Sequence, residues 1–145
     1  MTRNKDNEGP IQRAVLQAMR KQYPRALIFS VPNELASKAG GGAKGATAQA
    51  RIRNVQASAK GLGMLPGMAD LCMVLDGRFY AFEVKAGSNT QQENQKAVQA
   101  MCEAAGGHYA VVRSAEGAIE FVKAVRQSHG ETLAMQAVEM RGDVS

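Results

Sequence analysis

Asp70, Glu83 and Lys85 are the residues whose types and spacing could do chemistry together. They bracket the stretch Asp70-Leu-Cys-Met-Val-Leu-Asp-Gly-Arg-Phe-Tyr-Ala-Phe-Glu-Val-Lys85. Asp76-Gly77, set between two apolar, β-rich runs, is the strongest short-range signal for a two-residue type I′ hairpin turn. That turn sets Leu75 opposite Arg78, and therefore Asp70 opposite Glu83 as a non-hydrogen-bonded pair, the closer kind. Such side chains have Cβ atoms roughly 4.5–5.5 Å apart. Strand alternation puts Lys85 on the same face as Glu83. Opposed like charges are destabilising, and a hard divalent cation relieves them by taking carboxylate oxygens as ligands. A solvated acidic pair with a lysine on an exposed sheet face gives the same residue pattern, so the rest of the chain has to decide.

Composition narrows the choice. A chain of 145 residues, 45% of them hydrophobic, can fill one core and reads as a single domain over 1–145. Its core is expected over about residues 8–127, with 128–145 as a peripheral helix or tail. There is no apolar run long enough for a membrane span, and the N-terminus lacks a signal-peptide apolar region. Cys72 and Cys102 lie inside apolar patterns and read as small buried hydrophobes in a reducing, cytoplasmic compartment. With His108 and His129 far apart, these cysteines show no zinc-ligand spacing. Charge is unevenly spread. Residues 1–60 hold 11 Lys/Arg against 3 Asp/Glu, whereas residues 61–145 hold 7 against 10. A basic half joined to a carboxylate-bearing half suits a polyanionic substrate steered to a metal site. With 4 Phe, 3 Tyr and no Trp, a base-stacking platform for single strands is not favoured.

The elements that must position these residues follow from periodicity. Pro10 to Gln22 reads as a helix with Ile11, Val15, Leu16 and Met19 on its buried stripe, ended by Tyr23-Pro24. Ala26–Val31 reads as a strand. A glycine-rich stretch over Ser37–Gly45 precedes a helix over Thr47–Lys60, and Gly61–Gly67 forms a loop into the Asp70 strand. After the hairpin comes a helix over Thr90–Ala105, with Ala97, Val98, Met101, Cys102 and Ala105 buried. Thr90 and Glu93 fit a capping box there, which makes Glu93 a cap rather than a catalyst. His108–Arg113 reads as a strand, Ala115–Gln127 as a helix, and residues 131–141 as a separate one. The order is that of a mixed α/β fold around one sheet.

With Asp70, Glu83 and Lys85 so placed, the sequence resembles the PD-(D/E)XK nuclease superfamily. More narrowly, it looks like the virus-type replication-repair nuclease (VRR-NUC) domain in its stand-alone phage form. The likeness rests on Pro66-Gly-Met-Ala-Asp70, Phe82-Glu-Val-Lys85, the following Gln95-Lys96 and Ala104-Ala-Gly-Gly-His-Tyr-Ala-Val-Val-Arg113, and spans roughly residues 8–125. The resemblance implies a restriction-endonuclease-like α/β core with a mixed central sheet flanked by helices. It also implies Mg²⁺, with Mn²⁺ as substitute, bound by Asp70, Glu83 and the Val84 carbonyl. Lys85 then positions water or stabilises phosphate, and Gln95 borders the site, although Gln95 also reads as an ordinary exposed helix residue. Two positions depart from the family pattern. Ala69 stands where a proline precedes the aspartate. The acidic residue of the first helix falls on Gln12, leaving Glu8, one turn earlier, as first choice, Gln12 second and Glu34 third.

The reading these features favour is a metal-dependent DNA endonuclease. Lys38, Lys44, Arg51, Arg53 and Lys60 hold phosphates beside the catalytic group. Stand-alone members imply a homodimer cutting branched or four-way (Holliday) junctions. A non-catalytic DNA-binding accessory protein with a degenerate site, motivated by Gln12, is the alternative.

Overall fold

A computed structural model describes residues 7–32 and 46–142. The hairpin forms as its turn chemistry requires. Asp76 and Gly77 both take positive φ (53° and 74°), as a type I′ turn demands. Strand β2 (Leu71–Leu75) then pairs antiparallel with β3 (Arg78–Val84), running from Leu71 opposite Phe82 to Leu75 opposite Arg78. An outer strand, β1 (Leu27–Ser30), lies antiparallel to β2, and β4 (His108–Val112) lies parallel to β3, giving a four-stranded mixed sheet in the order β1-β2-β3-β4.

Helices α1 (Glu8–Gln22) and α4 (Ala115–Gly142) cover one face, α3 (Glu93–Ala104) covers the other, and α2 (Ala46–Gly61) connects β1 to the hairpin. The main core joins Val15 and Met19 of α1 and Ala118 and Val122 of α4 to Leu71, Met73, Leu75, Tyr80, Phe82 and Val84. A smaller core beneath α3 holds Ala69, Ala81, Val98 and Tyr109. This division fixes the register. A one-residue slip would carry Leu71, Met73, Phe82 and Val84 out of the main core, at about 1.5–3 kcal/mol for each large apolar side chain. Like charges directly opposite on paired strands are destabilising, but cross-strand pairs are worth only roughly 0.2–1 kcal/mol each. Core burial wins, and the two carboxylates are held face to face.

Several elements differ from the sequence expectation. Helix α4 runs unbroken through Ser128-His129-Gly130. A helical glycine costs about 1 kcal/mol, but this stretch is tied down. The His129 ring meets His108 with Nε2 atoms 3.4 Å apart, and Arg126 pairs with Asp76 at 3.1 Å. In α3 the N-cap is Gln92, not Thr90, and Glu93 instead pairs with Lys96 on the surface. The buried side of α3 is correspondingly turned: Gln95 and Val98 are buried and Cys102 partly so, whereas Ala97, Met101 and Ala105 are exposed. Cys72 is buried as expected. Among the described residues no helix is long and apolar enough to cross a membrane.

Gly67 explains the Pro-Gly step before Asp70. It has φ +87°, and a Cβ there would lie 2.5 Å from the Asn94 carbonyl oxygen, so only glycine lets this loop abut the first turn of α3. Gly63 also has positive φ (+101°), but open space surrounds it. Thermal unfolding should therefore show Gly67→Ala losing clearly more stability than Gly63→Ala, beyond the roughly 1–2 kcal/mol of the left-handed conformation that both share. Equal losses would refute the close approach.

Candidate active site

The alternation that sends Phe82 and Val84 into the main core sends Glu83 and Lys85 toward α3. Both are buried, at 2% and 0% exposure. Asp70 lies one residue before β2, where the ladder places it across from Glu83. Its Oδ2 accepts the Val84 N–H at 2.9 Å, so the carboxylate is fixed to the end of β3. Lys85 Nζ stands 3.3 Å from Glu83 Oε1. The Lys85 N–H donates to the Val112 carbonyl at 3.0 Å, which continues the β3–β4 pairing past the strand end.

Gln95 completes the group, and its amide orientation follows from its neighbours. The side-chain carbonyl accepts the Gln92 N–H at 2.8 Å as half of a capping box, so the NH₂ faces Glu83 and donates to Oε1 at 2.6 Å. One side chain thus caps the helix and holds the carboxylate. The structure buries Gln95 and overturns the exposed-helix alternative.

Glu8 is the first residue of α1, and its Oε1 accepts from Asn89 Nδ2 at 3.1 Å. Its charge is felt at both other carboxylates, Asp70 and Glu83. Glu34, Lys38 and Lys44 lie outside the described residues. Arg51, Arg53 and Lys60 are exposed on α2. Arg53 and Lys60, seven residues apart, share a helix side, while Arg51 points elsewhere.

Electrostatically the group is unbalanced. Burial raises the Glu83 pKa to about 7, assisted by the Asp70 charge and only partly opposed by Lys85. Asp70 is also raised, again first by burial, with the Val84 N–H opposing and Glu8 adding to the rise. Glu83 Oε2 is sealed from solvent without a hydrogen-bond partner. These all-oxygen donors fit a hard divalent cation. Among the described residues no three acidic, imidazole or thiol side chains are gathered into a ready-made metal cage. The Asp70–Glu83 pair suits a divalent cation that keeps several of its waters and takes one or two carboxylates. An apolar groove lined by Leu65, Met68, Phe79, Val98, Met101 and Cys102 contains none of these groups.

No family model matches the sequence, and no curated protein matches it. A solved structure described as a "VRR_NUC domain protein" does: the two share 17% identity at a TM-score of 0.57, over 80% of this chain and 84% of that one. The chain has the VRR-NUC fold. Within that fold, the sequence pointed to Asp70, Glu83, Lys85 and Gln95, and the structure brings all four together. Gln92, Asn89 and Arg113 escaped sequence reasoning as contributors. The Gln92-x-x-Gln95 spacing was a usable capping signal, but Asn89 reaches Glu8 across 81 residues and left no local trace.

The raised Glu83 pKa has a definite sign. Between its ordinary value of 4.5 and about 7, the folded state keeps a proton that the unfolded chain has released. Stability of the metal-free protein must therefore fall as pH rises through that window. Melting curves in EDTA from about pH 5 to about pH 8 should show this fall, and Glu83→Gln should flatten it. An unchanged slope in the variant would show that Glu83 does not carry the effect.

Proposed function

We propose that this chain is a divalent-metal-dependent DNA endonuclease of the PD-(D/E)XK type, acting as a homodimer on branched DNA. The observation that carries the proposal is the opposed pair of half-buried Asp70 and buried Glu83, with buried Lys85 beside it, in a VRR-NUC fold. A lysine 3.3 Å from one carboxylate does not neutralise two. The pattern suits a group shaped for an added cation.

Asp70, Glu83 and Glu8 would hold Mg²⁺, with Mn²⁺ able to replace it. In an extended strand the N–H and C=O of one residue face the same neighbour. The Val84 N–H faces Asp70, so its carbonyl is offered on that side as a fourth oxygen. When bound, the cation offsets charge on the scissile phosphate and lowers the pKa of a coordinated water. Lys85 then orients the attacking water or offsets negative charge developing on the phosphoryl oxygens. Gln95 keeps Glu83 aimed and leaves Oε2 free to bind. Arg53 and Lys60 form a phosphate track along one side of α2, and Arg51, Lys38 and Lys44 are further phosphate contacts by charge alone. Two copies related by a twofold axis give two equivalent sites, the simplest way to cut two strands symmetrically. Two cysteines in thiol form suit a cytoplasmic setting.

The test is incubation with labelled four-way junction, flap and linear duplex DNA in Mg²⁺, Mn²⁺ or EDTA. Paired symmetric nicks in the junction, lost in EDTA and in Asp70→Ala, are expected. Lys85→Ala should abolish cleavage while leaving DNA binding nearly intact. Binding without cutting in any metal would replace this reading with a non-catalytic DNA-binding protein, and a monomer by light scattering would remove the homodimer.

A further inference from the structure

The Glu8 carboxylate, at the start of α1, is held from outside its own helix. The α1 N-cap, Asn7, makes no side-chain capping hydrogen bond. What holds the Glu8 carboxylate is Asn89, in the turn that follows Lys85. That turn is itself braced. The Asn89 N–H donates to the Ala86 carbonyl at 3.0 Å, and Gly87 adopts φ +55°. Arg113, just beyond β4, then closes on it from outside. One guanidinium nitrogen donates to the Gly87 carbonyl at 2.7 Å and the other to the Asn89 carbonyl at 2.8 Å. A planar fork that spans two carbonyls fixes a backbone in a way that a lysine ammonium cannot.

The chemistry of Asn89 suits this task. Its amide donates one neutral hydrogen bond to Oε1, which orients the carboxylate without cancelling its charge and leaves acceptor capacity for a cation. A lysine or arginine at that position would compete with the cation itself. Outer partners of this kind usually set how well a ligating carboxylate binds, and their loss costs about 10–100-fold in metal affinity.

We propose that Arg113 and Asn89 form a positioning relay: Arg113 sets the 86–89 turn, and Asn89 presents Glu8 as the third carboxylate for the divalent cation. The relay rests on the metal-site reading above. Arg113 and Asn89 act through Glu8 and touch no reacting atom, so both are positioning residues.

Calorimetric titration of the full chain with Mn²⁺ alone, without DNA, tests the relay. Asn89→Ala, Glu8→Gln and Arg113→Lys should each weaken Mn²⁺ binding by about 10–100-fold while unfolding near the wild-type temperature. The double variant Glu8→Gln/Asn89→Ala should bind no more weakly than Glu8→Gln alone, because Asn89 works only through Glu8. Wild-type affinity in Asn89→Ala or in Glu8→Gln, or additive losses in the double variant, would overturn the relay. Asp70→Asn is the control that separates the two levels. If Asp70→Asn loses Mn²⁺ while Asn89→Ala keeps it, the metal site stands and the relay falls. If Asp70→Asn binds Mn²⁺ like wild type, the metal site falls and takes the relay with it.

Discussion

Two carboxylates held face to face, Glu83 buried and Asp70 half-buried, are the constraint on which this structure turns. Asp70 and Glu83 oppose one another because the hairpin register is fixed elsewhere, by a two-residue turn at one end and by apolar side chains on the other face. The sheet cannot relax the repulsion by slipping without surrendering its main core. The polar contacts around the pair are responses to that constraint. The Val84 N–H binds Asp70, Gln95 binds Glu83, and Lys85 supplies one positive charge against more than one negative. Burial first, and the remaining imbalance second, raise the affinities of both carboxylates for protons, the smallest cations available to the site.

Each surrounding element can be understood by what it does for the pair. Helix α3 excludes water from one side and delivers Gln95 through its capping box. Gly67 lets the loop before Asp70 approach that helix closely enough to bury Ala69 beneath it. Helix α1 brings Glu8 to the end of the sheet where β2 begins and β3 stops. The turn after Lys85 links that helix end to β4 through Asn89 and Arg113. Placing the chemistry on strand ends and braced turns suits a site that must hold its geometry to within fractions of an ångström.

Much of this was legible in the sequence, for identifiable reasons. Asp-Gly turns demand positive φ and strands alternate with period two, so the pairing of Asp70 with Glu83 could be counted residue by residue. The 3.6-residue period is less exacting, and apolar Ala97, Met101 and Ala105 suggested a buried side of α3 turned away from the one that forms. What decides that side is the polar Gln95, recruited by a carboxylate 12 residues earlier. Ser128-His129-Gly130 looked like a helix break because local propensity says nothing of His108 and Asp76, which hold that stretch of α4 in place. The Asn89–Glu8 contact was invisible for the same reason: it exists only once β4, α1 and the post-hairpin turn have met.

If the pair is strained for a cation, removing one charge must stabilise the empty protein and remove its response to metal. Asp70→Asn does this while keeping an acceptor for the Val84 N–H and leaving Glu83 to balance Lys85. The decisive measurement is thermal unfolding of wild type and Asp70→Asn at about pH 8, where both carboxyl groups of the wild type are pressed to ionise, each with and without Mn²⁺. Metal-free Asp70→Asn should melt above metal-free wild type, and Mn²⁺ should raise only the wild-type transition. A variant that melts lower than wild type and still gains stability from Mn²⁺ would show that the pair is not strained for a cation.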